Sequence, residues 1–160
     1  MDRIQIVYGT GTGETALASY DAALADANIH NYNLSYLSSM IPEETAIDVI
    51  GTAPDLGPPG NRLTVVEAST HTDTGETVAA GLGWIQSEES GGVFYEATSQ
   101  ESENAVETKL RNGLRTAKYL REWEFGNQRI KTVSADAAED THTTALIAAV
   151  YGQSESLFES

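Results

Sequence analysis

The chain has 160 residues, a length that suits one domain with a core of its own. It holds no cysteine, which excludes a disulfide framework and any thiolate metal site. Acids outnumber bases 24 to 9, and the net charge of −15 repels nucleic acid and anionic membranes. The acids are scattered through patterned sequence rather than gathered in a disordered tail, and lysine is scarce beside Asp, Glu, Thr and Ala. That points to a folded, halophilic protein from a very salty cytoplasm, where a carboxylate-rich surface stays hydrated and its repulsion is screened. The opening Met1-Asp2-Arg3-Ile4 lacks the apolar stretch of a signal peptide, and no apolar run approaches a membrane span. The expectation is a soluble, cytoplasmic protein.

In chain order, Ile4 to Tyr8 reads as a short buried strand. The glycines Gly9, Gly11 and Gly13 follow as a tight turn into a helix, with Thr12 or Gly13 as cap and Glu14 at its positive end. In that helix Leu17, Tyr20, Leu24 and Ala27 share one face at helical spacing. Tyr32 to Leu37 is the next strand. Residues 51–62 hold three of the four prolines and form a loop. Strands are predicted over 63–70, 76–86 and 92–99, with "HTDTG" and "SEESG" as turns between them. The spacing of Val106, Leu110, Leu114, Ala117 and Leu120 predicts a helix over 101–123, with acids at its start and bases near its end. "QRIKTVSAD" and "TALIAAVY" are two more strands, the second also compatible with a helix. The acidic tail after Tyr151 is expected to fray. Two helices and six or more strands clustered in runs make the fold class α+β, a layered sandwich of β-sheets covered by helices, in a single domain 1–160.

Few residues stand out chemically. The three glycines resemble a dinucleotide loop, but the third comes one residue early and no placed acid follows, so a turn is the simpler reading. His30, His71 and His142 are scattered, with no spacing that suits a metal. Asp21 lies about 40° from Leu17 around its helix, on the apolar side. It is either at the edge of the stripe or in a site with a cationic partner. In "GGVFYEATS" alternation puts Val93 and Tyr95 on one face, Phe94 and Glu96 on the other. Glu96 is therefore either an exposed strand-end acid or an acid in an apolar pocket, with the raised pKa a general acid needs. The pair Ser38-Ser39 ends a strand between apolar residues without a turn-forming Gly or Asp.

The stretch "GTGETALASYDAALADANIHNYNLSYLSSMIPEE" resembles the N-terminal region of pyruvoyl-dependent arginine decarboxylases. The shared features are Gly13-Glu14-Thr15, Asp21 with Leu24, Asn33-Leu34, and Ser38-Ser39-Met40-Ile41-Pro42. The resemblance continues through "GETVAAGLG", "GVFYEA", the helix ending in Trp123 and "TALIAAVY". It implies a backbone that cuts itself between Ser38 and Ser39. The Ser39 hydroxyl attacks the preceding carbonyl, the resulting ester eliminates to dehydroalanine, and hydrolysis leaves a pyruvoyl group. Residues 1–38 become the β chain and 39–160 the α chain.

The resemblance further implies decarboxylation of L-arginine to agmatine and CO2, for polyamine synthesis, through a Schiff base on the pyruvoyl group, with neither PLP nor metal. Glu96 is the implied proton donor. Asn33 supports the cleavage site, and Asp21 with Leu24 binds the substrate guanidinium. The family's assembly is a trimer with sites between subunits, and no nucleic acid or membrane is involved. Tyr20 stands where phenylalanine is usual and Asn28 where glycine is common. Two rival functions stay open: a pyruvoyl decarboxylase of another amino acid, and a non-cleaving acidic binding domain of the same fold.

Overall fold

A computed structural model describes residues 2–158. Among them the elements run β1 (Asp2–Gly13), α1 (Ala16–Asp26), β2 (Asn33–Tyr36), β3 (Met40–Ile41), β4 (Thr45–Gly51), β5 (Arg62–Thr74), β6 (Thr77–Gln86), β7 (Gly92–Ser99), α2 (Glu103–Tyr119), β8 (Arg129–Asp136) and β9 (Glu139–Tyr151). They form two sheets, ordered β2-β5-β9-β1-β4 and β3-β7-β6-β8. The first is mixed, with β1/β4 and β2/β5 parallel and β1/β9 and β5/β9 antiparallel; the second is antiparallel. The α+β layered sandwich expected from the sequence is the architecture observed.

Three apolar layers hold it together. Between the sheets, Ile4, Ile6, Val66, Leu82, Trp84, Phe94, Ile147 and Ala149 form the central core. Outside the first sheet, Ala23, Leu24 and Ala27 of α1 pack on Val7, Leu63, Val65, Leu146 and Val150. Outside the second, Val106, Leu110, Leu114 and Ala117 of α2 pack on Ala79, Ile85 and Val93. Each such aliphatic or aromatic side chain contributes about 1.5–3 kcal/mol by leaving water. β9 serves two layers at once: Ala145, Ile147 and Ala149 face the other sheet, while Leu146, Ala148 and Val150 face α1. A strand buried on both faces has no polar alternation, which is why "TALIAAVY" is also compatible with a helix.

The glycine-rich segment is not a turn. Gly9, Gly11 and Gly13 lie inside β1, which runs unbroken to Gly13. They alternate on the face beneath α1. A Cβ at Gly9 would stand 2.3 Å from the Ala23 carbonyl oxygen, one at Gly11 2.4 Å from the Ala23 nitrogen, and one at Gly13 2.7 Å from the Ser19 nitrogen. The glycines are a rail on which the helix backbone rests. The turn is Glu14-Thr15, and Thr15 is the N-cap, its Oγ1 accepting from the Ala18 amide at 3.0 Å. So close an approach admits only small residues beneath the helix. Ser19, Ala23 and Ala27 point inward with Leu24, and Leu17, expected inside, is 76% exposed.

Other boundaries differ locally. β5 extends through "HTDT" to Thr74, so the turn begins at Gly75. α2 starts after the N-cap Ser102 and ends at Tyr119, leaving Leu120 exposed at the C-cap. Asn28 follows α1 with φ 61°, a left-handed position that glycine favours and asparagine tolerates, and its Nδ2 donates to the Ala53 carbonyl. The tail does not fray at once: Arg62 and Glu155 exchange backbone hydrogen bonds at 2.7 and 2.9 Å, and the Ser154 hydroxyl donates to the Leu56 carbonyl. The last two residues, 159 and 160, lie outside the described part. No helix among the described residues is long and apolar enough to cross a membrane.

Candidate active site

The serine pair sits where the chain passes from one sheet to the other. β2 is an edge of the first sheet and β3 an edge of the second, and only Leu37, Ser38 and Ser39 separate them. Both ends of this crossing are tied. The Leu37 amide donates to the Val65 carbonyl of β5 at 2.8 Å, and the Phe94 amide of β7 donates to the Ser39 carbonyl at 2.8 Å. This answers why a strand stops on two serines: the chain leaves the first sheet after Leu37, bends at Ser39 and enters the second sheet, a crossing rather than a hairpin turn. Ser38 is exposed and Ser39 half-buried.

β3 and β7 are antiparallel, with Met40 opposite Val93 and Ile41 opposite Gly92. The Ser39–Phe94 bond carries that register one residue further, and Glu96 lies two residues beyond Phe94 on β7. The alternation read along β7 holds. Val93 and Tyr95 face α2, Phe94 enters the central core, and Glu96 follows Phe94 on that face, at the open end of the sandwich. Although the Glu96 residue is largely exposed, its carboxyl is pushed above the ordinary value, first by desolvation and then by the charge of Glu67. Ser39 thus lies opposite Phe94, two residues along β7 from Glu96.

The remaining sequence candidates lie on β2 and α1. Asn33 opens β2 opposite Arg62, its Nδ2 donating to the Gly60 carbonyl at 2.8 Å. From Asn33 to Leu37 is about 13 Å of extended strand, so Asn33 lies at the far end from Ser39. Asp21 is exposed on the outer side of α1. Leu24 is buried in the layer under α1, where it seats the helix that carries Asp21. His71 and His142, scattered in sequence, come together on neighbouring strands with ring centroids 5.9 Å apart.

Sequence reasoning passes over Glu67 on β5. Its carboxylate accepts from the Tyr20 hydroxyl of α1, at 2.8 Å to Oε1 and 3.0 Å to Oε2. The Tyr36 hydroxyl of β2 lies 3.2 Å from that of Tyr20. Since Tyr20 spends its one proton on Glu67, Tyr36 is the donor to Tyr20. Desolvation raises the Glu67 pKa, and the hydrogen bond from Tyr20 opposes it. The only sequence signal is an acid on the same strand face as Val65, between apolar residues.

A family model described as pyruvoyl-dependent arginine decarboxylase matches residues 3–156. The chain is similar to a protein of that name from Halobacterium salinarum, 43% identical over 161 residues with 99% of each chain covered. It is also similar to proteins of that name from Pyrococcus abyssi, 34% identical with 86% of each chain covered. One from Methanopyrus kandleri is 32% identical, with 91% of this chain and 92% of the relative covered.

Proposed function

The chain belongs to the pyruvoyl-dependent arginine decarboxylase family, and from that premise we propose that it converts L-arginine to agmatine and carbon dioxide with a pyruvoyl group made from Ser39. The backbone is cut between Ser38 and Ser39, giving a 1–38 β chain and a 39–160 α chain. The observation that carries the reading is the placement of Ser39 opposite Phe94, two residues along β7 from Glu96.

Ser39 suits the group it would become. Its β-oxygen is the nucleophile that attacks the Ser38 carbonyl and then the leaving group. The hydrogen bonds at Leu37 and Ser39 fix the chain on either side of the bond between two sheets while leaving Ser38 open to water. Once formed, the pyruvoyl carbonyl supplies an electron sink of the kind a pyridoxal ring provides. The chain's residues do the rest. Glu96 delivers the proton that replaces the departing carboxylate on the α-carbon and regains one from water, which balances the loss of carbon dioxide. Its raised pKa keeps that proton available.

The distance of Asn33 from Ser39 within one chain, and the exposure of Asp21, support a site completed by a second copy. Leu17, Tyr36, Leu37 and Met40 are exposed beside these residues and provide apolar surface for the contact. We assign the assembly as a homotrimer, with Asp21 receiving the guanidinium as a charge-assisted, bidentate partner and Asn33 supporting the oxyanion at the cleavage site. The acid excess, shared with a halophile-type surface, fits a cytoplasmic enzyme working at molar salt.

The test is denaturing mass spectrometry of the protein at high salt, followed by incubation with a panel of basic and acidic amino acids. Two fragments divided at Ser38/Ser39 and release of agmatine from arginine are expected. A single inert chain would return the protein to the binding-domain reading, and turnover of another amino acid alone would replace the substrate.

A further inference from the structure

β3 is the shortest strand in either sheet. It is Met40 and Ile41 alone, at the edge of the second sheet, with β7 on one side and, among the described residues, no strand on the other. The Ser39 carbonyl just before it takes the Phe94 amide. Successive carbonyls of an extended strand point to opposite sides, so the Met40 carbonyl is turned away from β7, toward the open edge. Tyr151 meets it there: its hydroxyl donates to the Met40 carbonyl at 2.8 Å.

This donor comes from the other sheet. Tyr151 ends β9 opposite Ile4 of β1 and packs against the core between the sheets. Its ring meets Phe94 edge-on, with centroids 6.3 Å apart. A ring fixed in that way aims its hydroxyl, and two sheets thus grip consecutive carbonyls of the chain at Ser39 and Met40. Neither the cleavage nor the proton delivery described above calls on this hydroxyl.

We propose that Tyr151 is a positioning residue for the cleaved enzyme: its hydroxyl holds the new end of the α chain against β7. This rests on the cut between Ser38 and Ser39. Before the cut the crossing is tethered on both sides, by the Leu37 amide on Val65 and the Phe94 amide on Ser39. The cut takes the first tether away from the α chain and makes residue 39 a chain end, and chain ends fray unless tied down. The ties left are few. Ile41 is buried, but Met40 is 43% exposed, and Arg121 reaches only the Met40 sulfur, at 3.8 Å. The next backbone anchor is Pro42, whose carbonyl accepts from the Thr45 hydroxyl at 2.7 Å. Glu96 lies two residues beyond Phe94, so an end that peels from β7 carries the group made from Ser39 away from its acid.

The experiment follows the full-length protein and Tyr151→Phe at fixed molar salt, each with and without Ser39→Ala, which keeps the chain whole. Phenylalanine retains the ring against Phe94 and loses only the hydroxyl. Fragments are read by denaturing mass spectrometry, exchange of the Phe94 amide by NMR, and kcat and KM for arginine are referred to cleaved chain. In cleaved Tyr151→Phe, Phe94 exchange should quicken and kcat should fall, each by about three- to tenfold, the weight of one hydrogen bond, with KM unchanged. In the uncut pair the same change should leave Phe94 exchange alone. Unmoved exchange or unmoved kcat in cleaved Tyr151→Phe overturns the proposal. Equal acceleration in the uncut pair overturns it too, because the bond would then be an ordinary support. So does a Tyr151→Phe chain that fails to fold or to cleave, since its hydroxyl would be needed before the cut. A wild type that stays whole sinks the functional reading and this proposal with it. A wild type that cleaves without turning over arginine sinks only the substrate, and Phe94 exchange still judges Tyr151.

Discussion

The amide of Phe94 donates to the carbonyl of Ser39, and Glu96 lies two residues further along the same strand. The bond uses only backbone atoms, so it survives a change of the serine side chain. Ser39→Ala should therefore fold with the same sheet register, stay a single chain and be inactive, because alanine has no β-oxygen to attack the Ser38 carbonyl. Denaturing mass spectrometry decides it; two fragments from this variant would remove the mechanism.

Glu96→Gln should be processed like the wild type and decarboxylate poorly. Glutamine keeps the shape at the open end of the sandwich but donates no acidic proton, and loss of a general acid costs about 10²–10⁴-fold in rate. Turnover near the wild-type value would take Glu96 out of the reaction.

Asp21 is exposed on α1. Asp21→Asn should leave fragment formation intact and raise KM for arginine by about tenfold or more, since two charged hydrogen bonds become neutral ones. Steady-state kinetics and fragment analysis on the same samples separate the two effects. An unchanged KM would leave Asp21 as a surface carboxylate.

Gly11→Ala should lower the melting temperature although its backbone is ordinary extended strand. The new Cβ meets the Ala23 nitrogen at 2.4 Å, and main chain has little room to yield; overpacking of this kind costs about 1–3 kcal/mol. Gly126→Ala is the control, because its Cβ would meet nothing nearer than the Gln86 carbonyl oxygen at 3.7 Å. Equal melting temperatures for the two variants would refute the rail.

Glu103 tests acid stability. The Ser134 hydroxyl donates to its carboxylate at 2.5 Å and Thr132 donates to the other oxygen, and these bonds hold its pKa below the ordinary 4.5. The folded state thus binds this proton less tightly than the unfolded one. Its stabilisation is present above 4.5 and is lost as pH falls through the depressed folded value. Glu103→Gln should melt lower at neutral pH and show a flatter decline on acidification. A melting curve parallel to the wild type across that range would contradict it.

Much of this molecule is legible from residue patterns. The strand over 92–99 shows its alternation and turn residues, and both the core face of Phe94 and the placement of Glu96 follow from it. What pattern misses is packing between elements. Gly9, Gly11 and Gly13 look like punctuation because local sequence carries no record of the helix lying above them. Leu17 reads as core because helical spacing gives a stripe without saying which edge is covered. β4 goes unassigned, since "TAIDVI" precedes a proline-rich loop and gains its partner from β1, some forty residues earlier. Glu67 becomes noticeable only when α1 and β2 deliver two phenols to it. The serine pair, by contrast, is recognisable by family likeness long before its place between two sheets explains it.

The position of β1 has a consequence for how the enzyme must be made. In the proposed cut this strand would belong to the 1–38 piece, yet it lies inside the first sheet, paired with β9 from Ile4 to Gly13 on one side and with β4 on the other. The proposed cut therefore leaves the two pieces interlocked rather than free to part. It also makes assembly a one-way history. The intact precursor threads β1 between its later strands as a single molecule, at a cost set by loop closure. Once cut and denatured, the pieces must find each other by diffusion, with dilution working against them. The proposed maturation would thus convert a protein that refolds from one chain into one whose recovery depends on concentration.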